Sequence, residues 1–431
     1  MRSPTLKFII FLFFLNCSKE TIQKEFLIFQ DPYNSNSSSS GSDNINSGSD
    51  NINQRLKKSP CENGMASIYP CKGYDFVSRI TLDEFESKSG NDNWGWTDPE
   101  TGIEYVISGL NDGTAFVSIE DPENPIYLGK LPTSTFSSDY RDIKVYNSHA
   151  FIVSEAPNHG LQVFDLTRLR GITEFQSFNA DVTLQDFGNA HNIAINEETG
   201  FAFVVGSNLY QGGPVFIDVN DPKKPKIVGG FETASYTHDA QIIIYRGPDE
   251  NYQGKELLFG SNTDGGANNK IVILDVTDKK NPEWLQSIFY ENGGYTHQGY
   301  ITEDHRYFFI GDELDEINYG SPTSTRIFDL TDLSNPKLHL NYYASLSAID
   351  HNGYTKGDKF FMASYTAGLR VLDISSIEEK QIEEIGFFDS YPSDNDTKFA
   401  GAWNVYPYFE SGIIAINDIE SGLILVKASE N

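Results

Sequence analysis

One short pattern returns along this chain and restricts its fold more than any other feature: an apolar run that ends in Asp and passes into a turn. It reads Phe116-Val117-Ser118-Ile119-Glu120-Asp121-Pro122, then Phe164-Asp165-Leu166-Thr167, then Val215-Phe216-Ile217-Asp218-Val219-Asn220-Asp221-Pro222. It continues as Ile271-Val272-Ile273-Leu274-Asp275-Val276-Thr277-Asp278, Ile327-Phe328-Asp329-Leu330-Thr331-Asp332 and Val371-Leu372-Asp373-Ile374-Ser375. Asp side chains bond their own backbone two residues on and Pro presets φ, so these aspartates are turn-forming residues. The period of about 45 to 60 residues is too long for a strand solenoid and suits a four-stranded propeller blade.

Each copy divides into four short strands, which in the third copy fall at 191–195, 200–206, 214–218 and 226–231. Both faces of these strands are apolar, as in Phe201-Ala202-Phe203-Val204-Val205, so each small sheet must be covered on both sides. Sheets stacked radially meet that requirement, and a chain with 36 Gly, 23 Tyr and 30 Phe but 3 Met has the composition of strands and turns. First strands are expected at Trp96, Arg141, His191, His238, His297, His351 and Trp403. The seventh copy, 402–427, stops after three strands, and residues 74–85 read as a fourth strand without its first three. The expectation is an all-β, seven-bladed β-propeller over residues 74–431, its last blade closed by the N-terminal strand 74–85.

Several stretches carry a resemblance beyond pattern: Ala190-His191-Asn192-Ile193-Ala194, Tyr236-Thr237-His238-Asp239-Ala240-Gln241, Tyr295-Thr296-His297-Gln298-Gly299-Tyr300, Tyr365-Thr366-Ala367-Gly368-Leu369 and Gly401-Ala402-Trp403-Asn404-Val405. The copies resemble the LVIVD repeat, and the region from about residue 74 onward is similar to the choice-of-anchor B family of bacterial surface propellers. That resemblance implies a propeller held at the cell by an anchor and supplies no biochemical activity.

The N-terminus fits such an anchor. Arg2 and Lys7 precede the apolar run Phe8 to Leu15, which is too short to span a membrane and suits a secretory signal over residues 1–16. Cys17 follows directly, as in a bacterial lipobox, although Phe14 and Asn16 depart from the usual residues; ordinary cleavage nearby is the alternative. Residues 17–73 would then hold the lipid, a Ser/Asn/Gly-rich tether and a segment with Cys61 and Cys71, whose default reading in an exported chain is a disulfide. Membrane contact is expected only through the lipid. With 61 acidic against 32 basic residues, a net charge of −29 argues against nucleic acid as a partner.

Four of the eight histidines, His191, His238, His297 and His351, share one repeat position, each followed by Asn, Asp or Gln. First strands line a propeller's channel, so these imidazoles should converge at its mouth, with Trp96 or Trp94, Arg141 and Trp403 in the remaining copies. Loops between second and third strands should surround them with Glu155, Asn208, Asp264 and the acidic run Asp312, Glu313, Asp315 and Glu316. Three readings stay open: a divalent transition metal (Fe, Mn, Zn or Cu) held by the histidines with nearby carboxylates orienting them, metal-free binding of a surface ligand or protein partner, or imidazoles that merely bond neighbouring blades. Asn262-Thr263-Asp264-Gly265-Gly266 offers oxygen ligands to Ca²⁺ without the full calcium-loop spacing. His149, His159, His305 and His339 lie off the repeat position and are expected in loops or at the surface. The acidic run is by default a solvated loop. The functional expectation is an exported, lipid-anchored, monomeric binding protein of the cell envelope or surface; the alternative is a metal-dependent oxidoreductase or hydrolase.

Overall fold

The computed structural model describes residues 56–264 and 268–430. The signal segment, Cys17, Gly265 and Gly266 lie outside the described residues. Seven blades, each of four antiparallel strands, form the ring. Blade 1 runs through Gly90–Thr97, Glu104–Leu110, Gly113–Ser118 and Ile126–Pro132, and blade 2 through Arg141–Tyr146, His149–Ser154, Leu161–Asp165 and Val182–Leu184. Blades 3 to 6 begin at Asn192–Asn196, Tyr236–Ile244, Thr296–Ile301 and Gly353–Lys356. Blade 7 takes three strands, Ala402–Tyr406, Ile413–Asp418 and Gly422–Ala428, from the C-terminus, and its fourth, Tyr74–Ile80, from the N-terminus. The expected seven-bladed propeller and its closure are therefore present, with residues 82–85 forming a short capped helix after the closing strand.

The two-residue alternation of a strand explains how the ring packs. Phe203 and Phe216 of blade 3 face blade 4, among Leu258 and Val272, whereas Val204 and Val215 face blade 2, among Phe151 and Val163. Seven such apolar clusters fill the seven gaps between neighbouring blades. Each buried Phe, Ile or Val contributes about 1.5–3 kcal/mol, so the side chains that look redundant within one blade are what join it to the next.

The repeated aspartates act as the turn chemistry requires. Asp121, Asp165, Asp221, Asp275, Asp278, Asp329, Asp332 and Asp373 each accept a hydrogen bond from the backbone N–H two residues on, at 2.8–3.2 Å. The segment before residue 74 also joins the ring: Tyr69–Lys72 pairs with the outer strand Glu383–Phe388 of blade 6, and Met65–Ala66 adds a further strand to it. Cys61 and Cys71 are disulfide-bonded, which pins this hairpin.

Candidate metal centre at the channel mouth

The innermost strands do not alternate cleanly where they meet the channel. Their pairing slips between Gly90 and Asn93, Thr237 and Asp239, Thr296 and Gly299, and Ala402 and Asn404. A β-bulge puts extra residues on one strand and re-aims their side chains. Here it lets two successive residues, such as His238 and Asp239, both face inward. The channel is consequently tiered.

The upper tier holds Arg141, His191, His238, His297, His351 and Trp403. Ring centroids are 4.0 Å apart for His191 and His238, 4.4 Å for His238 and His297, 4.1 Å for His297 and His351, and 4.9 Å for His351 and Trp403. Tyr140 completes the circle, 5.7 Å from Trp403 and 5.9 Å from His191. The middle tier is made of the residues that follow: Asp92, Asp142, Asn192, Asp239, Gln298, Asn352 and Asn404. Its members bond across blades, Asn192 to Asp239 at 2.8 Å, Asn352 to Asn404 at 3.2 Å and Asn404 to Asp92 at 2.5 Å. Lys144 bonds Asp142 at 2.7 Å and stands 3.8 Å from Asp92. Below lie Trp94, Tyr354 and Tyr406, packed edge to face at 5.2–5.9 Å.

This register corrects one expectation. Asp92 accepts from Ile143 N as Asp142 accepts from Ile193 N, so Asn91 is blade 1's counterpart of Arg141 and His191. Trp96 instead stacks on Tyr105 inside the packing between blades 1 and 2. The bulge at Gly90 displaces the register by residues that a regular strand would not contain.

Hydrogen bonds decide what the imidazoles offer. His238 Nδ1 lies 3.0 Å from the carbonyl oxygen of His297, and His351 Nδ1 lies 2.5 Å from that of Trp403. A carbonyl only accepts, so each Nδ1 carries the proton and each Nε2 keeps its lone pair, the form that ligates metals. Burial pushes all three imidazoles down, His238 and His297 well below the ordinary histidine range with help from neighbouring histidines, and His351 to about 3. They are neutral at pH 7. Glu313 reaches in from the loop after Tyr307–Asp312, with oxygens 3.7 Å from Nε2 of His297 and 3.7 Å from Nε2 of His351. Tyr365 donates to it at 2.8 Å, and burial raises its carboxyl to about 7. Donor atoms of His238, His297 and Glu313 lie within 4.8 Å of one another. Two imidazoles and a carboxylate, with a third imidazole beside them, suit Fe(II), Mn or Zn.

His191 differs. Its Nδ1 meets Glu155 at 2.6 Å; burial pulls the imidazole down, but the Glu155 hydrogen bond and charge, with Asp142 and Asp239, outweigh it and raise it overall. Unlike the other three, it is hydrogen-bonded to a carboxylate. Arg141 is buried, bonding the Leu110 carbonyl at 3.1 Å and His159 at 3.1 Å, so His159 lies in a loop, as expected, but is buried there as an interior support.

Other expected site residues lie elsewhere. Asp312 is not at the channel: it accepts from the backbone N–H groups of Gly294, Tyr295 and Leu314 and from the Tyr290 hydroxyl, which consume its lone pairs. Asp264 bonds Asn268 and is absent from the cavity lining, and Asn262 is absorbed by Thr233, Thr237 and Ser235. Asp315 and Glu316, expected in solvent, are buried. What went unrecognised were Tyr140 and the middle tier, although the Asn, Asp or Gln after each His was its visible sign.

The space enclosed by the first two tiers is about 20 Å³, lined by His191, His238, His297, His351, Arg141 and Trp403 above and Asp92, Asp142 and Asp239 below. That is room enough for an ion or a water.

The solved structures that resemble this chain share its ring. They include a putative 6-phosphogluconolactonase from Bacteroides uniformis (13% identity, TM-score 0.52, covering 68% of this chain and 84% of that one). Hydrazine synthase from Kuenenia stuttgartiensis aligns at 11% identity and TM-score 0.54, over 78% and 96%. The Cps50 (Swd1) propeller domain of Myceliophteria thermophila aligns at 12% and 0.50, over 83% and 100%. At such identities they show the fold alone, a seven-bladed β-propeller. No protein-family model and no curated protein matches the chain.

Proposed function

We propose that this chain is a binding propeller of the choice-of-anchor B kind, exported and lipid-anchored at Cys17, whose channel face is organised around a divalent transition metal. The supporting observation is the hydrogen bonding of His238 and His351: with each Nδ1 committed to the next blade's carbonyl, the Nε2 lone pairs are left for an ion beside Glu313. The ion sits between these imidazoles and Glu313, and the surface ligand or protein partner contacts the rim from outside, where Tyr140 and Trp403 offer aromatic surface. A metal-dependent oxidoreductase or hydrolase is the second reading, favoured by the nitrogen and oxygen donor set around a buried cavity.

Metal analysis of protein purified without a chelating column tests the centre. Near-stoichiometric Fe, Mn, Zn or Cu, lost in the His238→Ala/His297→Ala double variant, is the expected result. Absence of every one of these after exposure to each ion, with an unchanged melting temperature, refutes it. Turnover of redox or hydrolytic reporter substrates by the loaded protein, absent in the double variant, would favour the enzyme.

A further inference from the structure

A second cluster of donors stands apart from the histidines and has a different chemistry. Asp315 and Glu316 belong to the short helix Asp315–Tyr319, inserted after the second strand of blade 5, and Asp350 lies on the approach to blade 6. All three are buried, at 1%, 3% and 1% exposed, and one oxygen from each lies within 4.8 Å of the others.

Their partners do not suffice. Arg326 donates to Asp315 Oδ2 at 2.8 Å, Ser324 donates to the same oxygen at 2.6 Å, and Thr325 reaches Asp350 Oδ2 at 3.3 Å. The other Asp315 oxygen, the other Asp350 oxygen and both oxygens of Glu316 are buried without a donor. Three carboxylates thus face one guanidinium. Buried carboxylates persist when they are paired or coordinate a cation. Asp312, a few residues earlier, is satisfied by the backbone N–H groups of Gly294, Tyr295 and Leu314; the Glu316 oxygens have no such donor.

We propose that Asp315, Glu316 and Asp350 bind a hard divalent cation, with Ca²⁺ the best match, and that this ion ties blade 5 to blade 6. The donors are all oxygens, which excludes a preference for soft or imidazole-seeking metals. Ca²⁺ takes mono- or bidentate carboxylates in a flexible geometry, whereas Mg²⁺ demands a near-ideal octahedron and usually keeps several waters, so a fully buried group of three carboxylates suits the larger ion.

The test uses the intact chain stripped with EDTA and then given calcium chloride or magnesium chloride. Calcium should raise the melting temperature more than magnesium does, in the wild type and equally in His238→Ala/His297→Ala. Glu316→Gln keeps the side-chain shape and removes a repelling charge, so without metal it should melt no lower than the wild type. It should bind calcium at least ten-fold more weakly, read by calorimetry and by displacement of luminescent Tb³⁺. No calcium response in the stripped wild type, or the same response in Glu316→Gln, overturns the proposal; a metal-free Glu316→Gln that alone melts higher, with calcium silent in both, would mean that the carboxyl groups share a proton instead.

Discussion

The donor character of the channel is set one residue at a time, by which nitrogen of each imidazole is already occupied. Glu313 stands beside Nε2 of both His297 and His351, and Tyr365 holds it there. Glu313→Gln should keep the Tyr365 bond and the fold while weakening metal binding at least about ten-fold, measured by competition with a chromogenic chelator. An unchanged affinity would remove Glu313 from the ligand set. Gly206 sets the geometry from behind. It has φ +64°, and a Cβ there would lie 2.6 Å from the His191 Cβ and 2.5 Å from the Tyr236 hydroxyl. Gly206→Ala should therefore cost roughly 2 kcal/mol in denaturant titration, from left-handed strain plus the collision, and displace His191. The histidine positions were legible in the sequence because rarity and repetition mark them. Asn91 was not, since a bulge leaves no periodic trace, and Asp315 and Glu316 looked like solvent-facing charge because burial of an acidic run depends on what packs over it.

At the scale of elements, the ring is closed by one strand and guarded by one hairpin. Tyr74–Ile80 supplies Phe76, Val77 and Ile80 to the packing on both sides of blade 7, so its removal opens two interblade gaps together. Deleting residues 74–80 should abolish most of the cooperative thermal transition seen by calorimetry; a retained melting temperature would mean that three strands suffice to close the ring. The closing strand was readable because the seventh copy ended one strand short. The hairpin at 65–72 was not, because its two strands are too short to show alternation and acquire their register only by pairing with Phe387 and Phe388. Its bond between Cys61 and Cys71 spans a sequence separation of 10, for which loop-closure entropy gives roughly 2–3 kcal/mol. Cys61→Ser/Cys71→Ser should lower the melting temperature by a few degrees and speed proteolysis of this edge first. Equal protection of the edge with and without the bond would show that the packing of Tyr69 and the pairing with Phe387 and Phe388 hold it.

For the whole molecule, a net charge of −29 is carried by a ring whose blades are also clasped by ion pairs, and the two respond to acid in opposite ways. Arg170, beyond blade 2's third strand, grips Asp98 of blade 1 through two bonds at 2.7 and 2.8 Å. The Arg170 bond holds Asp98 at about 2, below the ordinary carboxylate range of about 3.9. Asp165, paired with Lys223 of blade 3, is also held at about 2, its bonds to Thr167 and Lys223 overcoming burial. A carboxyl lowered by folding stabilises the native state in full above its unfolded value and loses that contribution as pH falls through the folded one. These clasps therefore fail between about pH 4 and pH 2. Asp389 behaves oppositely: burial raises it to about 6, so folding favours its protonated form, and stability grows as pH falls from about 7 towards 4. The melting temperature should pass through a maximum near pH 4 to 5. Asp389→Asn should flatten the rise on the neutral side, and Arg170→Ala should flatten part of the fall on the acid side. The Arg170 effect should be small, because that guanidinium is 31% exposed and salt screens it. A melting profile whose acid limb has the same slope in Arg170→Ala as in the wild type would show that the blade 1 to blade 2 clasp contributes nothing to holding the ring together.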